Sequence, residues 1–307
     1  TSITYRGEGS RLSPTRVPKF AGSFDYLSFY NEALRNSGQP ELFSEGTLNK
    51  YLTGEDRDLY PNVNWWDALM KDHTYNNRHT ITFRGGAEKM RYFVSGAYFG
   101  ESGLYKVNNN YNNNAGIKRF NLRSNIDMDI TKDLLLRADL SGQYLQVNRP
   151  PFDTGRLFTG IFTSPPHVIP VKYSDGSLAD NHAAIISDNP YNDLVEKGYR
   201  REWRSLIQTK VELLHKLDFL LAGLKARAAL CYDANSTYLS TRIKNADTYF
   251  ATGRKSDGEL LLDKVANASP FGTPIQTSVG DKNIYVETAN NYDQTFGKHT
   301  VGGMALY

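Results

Sequence analysis

The sequence predicts an all-β fold: a transmembrane antiparallel β-barrel, present as an incomplete arc of about nine strands. Two observations carry this prediction. Apolar and polar residues alternate over segments of about eleven residues, and a tilted strand needs about 9–11 residues to cross a bilayer. Short turns also alternate with long polar loops, as in outer-membrane barrels, where the turns are periplasmic and the loops extracellular.

The clearest hairpin comprises residues 119–130 and 134–144, joined by a short turn at 131–133. Phe120, Leu122 and Met128 share one parity of its first strand with other apolar residues, whereas the opposite parity is ionic. Because successive side chains of a strand point to opposite faces, one face is oily and the other charged. The return strand repeats this pattern. We therefore expect one lipid-facing and one water-facing side.

The remaining strands alternate less regularly. The first strand lies near Ile3–Tyr5, and three further hairpins turn at residues 85–89, 215–218 and 296–298. In the last hairpin both faces are ambiguous, because Tyr285 and Val301 lie on the nominally polar parity. The pattern still predicts four hairpins after the first strand.

Four long segments separate the hairpins, at residues 7–78, 100–118, 147–201 and 234–282. They are polar and rich in Gly, Pro, Asn, Asp and Tyr, and loops of this length are rare in compact soluble domains. The first contains one predicted helix, with Ser23 as its N-cap and Gly38 just after its end. An asparagine-rich run at residues 108–114 predicts a surface loop rather than a sugar or calcium site.

Composition is consistent with a barrel. Hydrophobic residues make up 39% of the chain, mean hydropathy is −0.54, and no apolar run reaches the 18 residues of a transmembrane helix. Aromatic residues make up 12%, and many lie near predicted strand ends, as in interfacial girdles. The predicted girdle residues are Tyr5, Phe83, Tyr92, Phe99, Phe120, Tyr144, Trp203 and Tyr232.

Several classes of function find no support in the sequence. Six scattered histidines form no zinc-binding motif, and neither a nucleophile elbow nor a phosphate-binding loop is present. The single cysteine, Cys231, excludes an internal disulfide framework. Acids and bases are interspersed at a net charge of +3, which does not suggest nucleic-acid binding. We expect no enzyme, catalytic residue, metal or cofactor.

Nine strands is an odd number, whereas bacterial single-chain barrels are even-numbered and closed. An open arc would leave unpaired strand edges in lipid. We therefore expect residues 1–307 to be a partial β-barrel domain, with the remaining strands and any plug absent.

One stretch of motifs points to a family. Residues 60–67 (YPNVNWWD), then 77–80 (NRHT) and 83–96 (FRGGAEKMRYFVSG), resemble the start of the barrel in SusC/RagA-type TonB-dependent transporters. Asn64 and Ala87 are modest departures, where that family more often has Asp and Asn. Weaker similarity covers most of the chain.

The resemblance implies an importer of glycans or peptides in the outer membrane of Bacteroidota, crossing the membrane many times. It also implies a SusD-like surface lipoprotein as partner, outer-membrane lipid around the barrel, and contact with TonB through a plug absent from this chain. We expect no nucleic-acid partner. The motifs do not identify the substrate.

An importer of this kind would contact its substrate through residues of the loops and of the lumen wall. Trp65 and Trp66 either stack on sugar rings or anchor the first loop against its helix. The polar parity of the clearest hairpin provides residues that either contact substrate in the lumen or brace a plug through salt bridges. These lumen candidates are Arg123, Asp127, Arg137, Asp139 and Gln143.

Two other functions share some of these features. A passive porin would have the same wall but no plug. A soluble glycan-binding β-protein would share the aromatics and long loops, but it would not need the oily face that Phe120, Leu122 and Met128 predict.

Overall fold

The computed structural model describes residues 1–106, 115–182 and 189–307, so the asparagine-rich run at 108–114 lies outside the described residues. In chain order the elements are β1 (Ser2–Leu12), α1 (Ser23–Asn36), α2 (Glu45–Thr53), α3 (Trp65–Leu69), β2 (Thr74–Ala87), β3 (Met90–Ser102), β4 (Gly116–Asp129), β5 (Leu134–Arg149), α4 (Thr154–Thr163), β6 (Leu178–Ala179), a π-helical turn (Asn192–Glu196), β7 (Gly198–Lys216), β8 (Leu224–Ile243), β9 (Thr248–Arg254), β10 (Leu260–Ala266), β11 (Ile275–Phe296) and β12 (His299–Leu306).

Nine long strands form one antiparallel sheet in the order β1-β2-β3-β4-β5-β7-β8-β11-β12. Sequence neighbours pair through short turns at one end, which we call the turn end, and long connections meet at the opposite loop end. Among the described residues, β1 and β12 each have one unpaired edge, so the sheet is an open arc. The predicted fold class is confirmed.

The register measures the tilt of the strands. Met90, at the turn end of β3, lies on the same rung as Thr288 of β11, five strands away, but β11 continues eight residues further to its own turn at Phe296. With about 3.3 Å per residue and about 4.8 Å between strands, this stagger corresponds to a tilt of about 45°. Transmembrane barrels have tilts of about 35–45°.

The two faces of the sheet differ in chemistry. The face carrying Phe120, Leu122 and Ile126 is apolar and is called the outer face; the inner face carries Arg123 and Asp127. Register assigns every strand residue to one of them, since directly paired residues share a face. Tyr285 lies on the inner face and Val301 on the outer face, which resolves the ambiguity of the last hairpin.

An aromatic row crosses the outer face. Tyr5, His79, Tyr98, Phe120 and Tyr144 follow one another across β1 to β5, with successive ring centroids 6.1, 6.4, 5.1 and 6.4 Å apart. The pair Trp203 and Tyr238 continues the row on β7 and β8 at 5.4 Å. Four predicted girdle residues, Tyr5, Phe120, Tyr144 and Trp203, lie in this row. Phe99 was wrongly assigned to it, because it lies on the inner face between Arg78 and Arg119.

The sequence predicted that the long connections are polar loops with one helix in the first. Instead, they fold into a body of their own at the loop end. We call residues 13–73, 150–182, 189–197 and 244–274 the cap. It holds helices α1 to α4, a three-stranded sheet in the order β10-β9-β6, and most of the buried apolar side chains. Its central core consists of Trp65, Leu69, Met70, Leu157, Ile161, Ile169, Tyr173, Ala179, Leu194 and Val195.

Helix α1 begins differently from the prediction. Ser23 is not the N-cap: it is the first helical residue, is fully buried, and donates its hydroxyl to the Pro61 carbonyl at 2.8 Å. The side-chain oxygen of Asn62 accepts the Ser23 N–H at 2.9 Å, so a residue of another segment provides the hydrogen bond that an N-cap side chain usually makes. Gly38 follows the helix end at φ 74°, as predicted.

The helices of the cap are short. Within the described parts of the chain, none combines the length and the apolar character needed to cross a membrane.

Candidate functional site

All five lumen candidates lie on the inner face, on the adjacent strands β4 and β5. Asp127 pairs in register with Arg137, and Asn125 with Asp139. Arg123 and Gln143 lie further toward the loop end on the same face. The structure therefore brings the five candidates onto one patch of wall.

Two of these candidates belong to a larger ionic network, which we call the charge ladder. It alternates in sign across six neighbouring strands, β3, β4, β5, β7, β8 and β11. Its members are Arg91, Asp127, Arg137, Glu212, Arg227 and Glu287. Arg137 is 3.8 Å from Asp127 and 3.1 Å from Glu212, and Arg227 is 3.5 Å from Glu212 and also contacts Glu287.

Glu212 is the centre of the charge ladder. It is 4% exposed and also contacts Lys210 at 2.9 Å, so three cations surround one carboxylate. Ala229 lies opposite both Glu212 and Glu287, and its small side chain leaves room for Arg227 to reach both acids from the next rung. Buried carboxylates require this kind of pairing, because an unpaired one would lose its hydration without compensation.

Beside the charge ladder, toward the loop end, lies a patch rich in amides. Gln143 donates to the side-chain oxygen of Asn121 at 3.0 Å, and Arg123 donates to Asn125 at 3.3 Å. Asn125 in turn donates to Asp139. Arg123, Asn125 and Asp139 of this patch line a groove, together with Lys210 and Asp233 among others. It offers donors and acceptors that suit sugar hydroxyls or peptide groups.

The candidates thus divide by role. Asp127 and Arg137 satisfy each other within the charge ladder, so their charges are paired within the wall itself. Arg123 and Asp139 line the groove, whereas Gln143 is hydrogen-bonded to Asn121 further toward the loop end; all three remain candidates for contact with a solute. Sequence reasoning missed the partners Arg91, Glu212, Arg227 and Glu287. Parity predicts the face on which a residue lies, but not which residue of the neighbouring strand pairs with it.

The two tryptophan candidates occupy different environments in the cap. Trp65 is 2% exposed in the cap core, and its indole N–H donates to the Pro165 carbonyl at 3.4 Å. It anchors α3 and has no free ring face for a sugar. Trp66 is half-buried, with its ring centroid 6.3 Å from that of Phe158. Only Trp66 keeps a surface on which a ligand could stack.

An ionic clasp joins distant parts of the cap. The Arg254 guanidinium contacts Asp56 at 2.5 Å and Asp58 at 2.6 Å, linking β9 to the segment after α2. Asp58 also accepts hydrogen bonds from the Ser174 backbone and hydroxyl at 2.8 and 2.6 Å. The guanidinium hydrogen bonds hold the pKa of Asp56 below its ordinary value. The Asp56 carboxylate therefore stays ionised at neutral pH.

His167 is enclosed by aromatic rings between α1, α2 and residue 43. Its ring centroid lies 5.2 Å from Tyr26, 6.0 Å from Phe43 and 6.2 Å from Tyr51. Burial among apolar groups disfavours the charged imidazolium and lowers the pKa of His167 to about 4. The ring is therefore neutral at physiological pH and serves packing.

In the described part of the chain, no three His, Cys, Asp or Glu side chains are grouped so as to hold a metal ion. Cys231 is half-buried on the inner face, at the edge of the groove.

Comparison with known proteins gave related transporters. No family model matches the chain. It is 24% identical over 168 residues to the TonB-dependent receptor P3 of Formosa agariphila, an alignment covering 52% of this chain and 16% of that protein. Among solved structures it is similar to the RagAB peptide transporter, with 16% identity and a TM-score of 0.46 over 94% of this chain and 40% of that one. The outer membrane transporter YddB of Escherichia coli gives 11% identity and a TM-score of 0.34 over 76% and 27%.

The chain spans less than half the length of each of these relatives. The resemblance to TonB-dependent transporters that the motifs predict is confirmed by the match to the TonB-dependent receptor.

Proposed function

We propose that this chain is part of the barrel wall and extracellular cap of a TonB-dependent importer, which takes up a glycan or peptide across the bacterial outer membrane. The observation that carries the proposal is the contrast between the faces of one tilted sheet. The outer face is oily, and the inner face carries a charge ladder beside an amide-rich groove. A wall between lipid and an aqueous path needs this contrast.

The unpaired edges of β1 and β12 support a partial domain, with the barrel completed by further strands. In lipid every backbone N–H and C=O must be satisfied, and a closed barrel achieves this. We propose that a plug inside the completed barrel contacts TonB, and that the charge ladder faces that plug.

The cap supports the proposal of a partner. It is a folded body at the loop end, with its own core, and it offers a rigid platform for a SusD-like surface lipoprotein. Substrate would pass from that lipoprotein along the cap surface at Trp66 to the groove at Arg123 and Asp139.

Uptake by cells tests the proposal. Cells that carry the full transporter would be given fluorescently labelled oligosaccharides and peptides, with TonB present or deleted. We expect uptake to stop when TonB is deleted, and also when a proton uncoupler is added. Uptake that persists in both cases would indicate a passive porin instead.

A matched pair of variants locates the path within the wall. Arg123→Gln and Asp139→Asn alter the groove and should slow uptake several-fold, whereas Tyr144→Phe removes a polar group from the outer face of β5 and should not. Equal effects at all three positions would place the substrate path elsewhere.

A further inference from the structure

Charge is distributed unequally on the outer face of the sheet. Register assigns five cationic side chains to this face and, among the described strand residues, none of the 33 acidic residues of the chain. The inner face, by contrast, mixes both signs. The five outer cations are Arg11, Lys118, Arg201, Arg242 and Lys282.

All five cations lie toward the loop end. Lys118 is eleven residues from Asp129 at the turn end of β4, and Lys282 is fourteen residues from Phe296 at the turn end of β11. With a rise of about 3.3 Å per residue and a tilt of about 45°, these positions are about 25 and about 33 Å above the turn end. The apolar band of such barrels is about 25 Å tall. The cations thus lie at and above its outer edge.

Two of these cations share a cleft of about 370 Å³ on the outer face, immediately above the aromatic row. Lys118 and Arg201 flank it, and Asn77, Gln146 and Asn148 supply amide groups. Gly100 keeps its floor open: a Cβ there would lie 2.6 Å from the Tyr98 hydroxyl and 3.2 Å from the Asn77 side-chain oxygen. Glu101 also borders the cleft, but it belongs to the inner face, where it accepts from Asn76 at 3.3 Å.

These groups match the chemistry of phosphate. Lysine, arginine and amide N–H groups form charge-assisted hydrogen bonds to phosphate oxygens. Because the described strands carry no acid on this face, an anion there would not meet a like charge from them. Tyr98 and Phe120 lie just below the cleft, and aromatic residues are enriched at the level of lipid head groups. A phosphorylated head group at this height would have its acyl chains against Phe120 and Leu122.

We propose that this cleft binds the phosphate-bearing head group of an outer-leaflet glycolipid. The lipid would dock from the side of the barrel, outside the substrate path, with Lys118 and Arg201 on its phosphate and the amides on its sugar. The inference rests on the proposed membrane position of the wall but not on TonB dependence or on the substrate.

Lipid binding in nanodiscs tests the proposal. The full transporter would be reconstituted in phosphatidylcholine with increasing fractions of phosphorylated lipid A, and bound lipid would be counted by native mass spectrometry. The double variant Lys118→Gln/Arg201→Gln should weaken binding about tenfold. The control Lys132→Gln/Lys298→Gln removes two cations from the turn end and should leave binding unchanged.

Further measurements separate the sources of anion. Dephosphorylated lipid A should bind the unaltered protein as weakly as phosphorylated lipid A binds the double variant. Millimolar inorganic phosphate should not displace bound lipid, and displacement would mean a simple anion site. Equal binding by the double variant and the control would overturn the proposal.

The experiments distinguish a failure of the proposed TonB-dependent uptake from a failure of the proposed lipid binding. If the double variant transports normally but loses lipid, the lipid proposal stands whatever the substrate. If spin labels on Phe120 and Leu122 positions contact water rather than lipid, the membrane position itself is wrong, and both proposals fall.

Discussion

The wall and the cap are stabilised in different ways although they belong to one chain. The cap has a conventional core, in which Trp65, Leu69 and Ile161 are buried. The wall has few buried apolar side chains; its oily residues point outward and its inner face is held by ion pairs. The cap therefore relies on apolar burial within the protein, whereas the wall relies on lipid outside and on ion pairs inside.

The largest expected effect is in the cap core. Trp65→Ala should destabilise the cap by about 3–5 kcal/mol, because it leaves a cavity among buried side chains. Trp66→Ala is the matched control, with an expected cost of about 1 kcal/mol for a half-buried side chain. Hydrogen exchange at α4 and α3 reads out cap opening. Similar exchange in both variants would contradict the assignment of Trp65 as the anchor.

The wall should respond to charge on one face only. Leu140 lies on the outer face near the middle of the apolar band, and Arg there should cost about 2–4 kcal/mol in a bilayer. Ser141→Arg changes the adjacent inner-face residue and should cost much less. Unfolding in lipid vesicles measures both. Equal costs would mean that the two faces see the same solvent.

Acid should weaken the cap through His167. Its pKa is about 4 in the fold and about 6.5 when unfolded, so the unfolded state binds the proton first as pH falls. Above pH 6.5, His167 is neutral in both states and does not lower the free energy of unfolding. Below pH 6.5, that free energy falls progressively toward pH 4, because only the unfolded state gains the proton. At about 1.4 kcal/mol per pKa unit the loss reaches about 3 kcal/mol.

A pH series of cap opening checks this expectation. His167→Phe should lose the dependence between pH 6.5 and 4, whereas His73→Phe should retain it. Retention of the full dependence in His167→Phe would assign it to other groups.

The charge ladder should give a smaller effect than the cap core. Glu212→Gln removes the shared partner of Arg137, Lys210 and Arg227, and we expect a cost of about 2 kcal/mol. Glu259→Gln breaks an exposed pair with Lys255 and should have a much smaller effect, because water and salt screen such a pair. Thermal unfolding of both variants compares them. If Glu212→Gln leaves the unfolding temperature unchanged, water satisfies the three cations instead.

Sequence patterns predicted the wall better than the cap, for a physical reason. Lipid on one side and water on the other impose a period of two, so Phe120, Leu122 and Met128 could be assigned to one face without a structure. Beyond the bilayer this constraint ends. The extensions of β8 to Ile243 and of β11 back to Ile275 were therefore missed.

The cap core could not be predicted because its members are far apart in the chain. Trp65, Leu157 and Val195 meet only after folding and show no common period. The same applies to the Asn62 cap of α1 and to the clasp between Asp56 and Arg254. For the candidate site, parity placed five residues on the correct face, but the ion-pair partners required the register.

The most direct test of the account is the environment of each face in the membrane. Spin labels placed singly at residues 120 to 128 of β4, in a Cys231→Ser background, would be probed in lipid with oxygen and with a water-soluble nickel complex. If β4 lies between lipid and water, accessibility should have a period of two, with even positions accessible to oxygen and odd positions to nickel. Accessibility without alternation, or with the opposite phase, would contradict the assignment of this sheet as a lipid-facing wall.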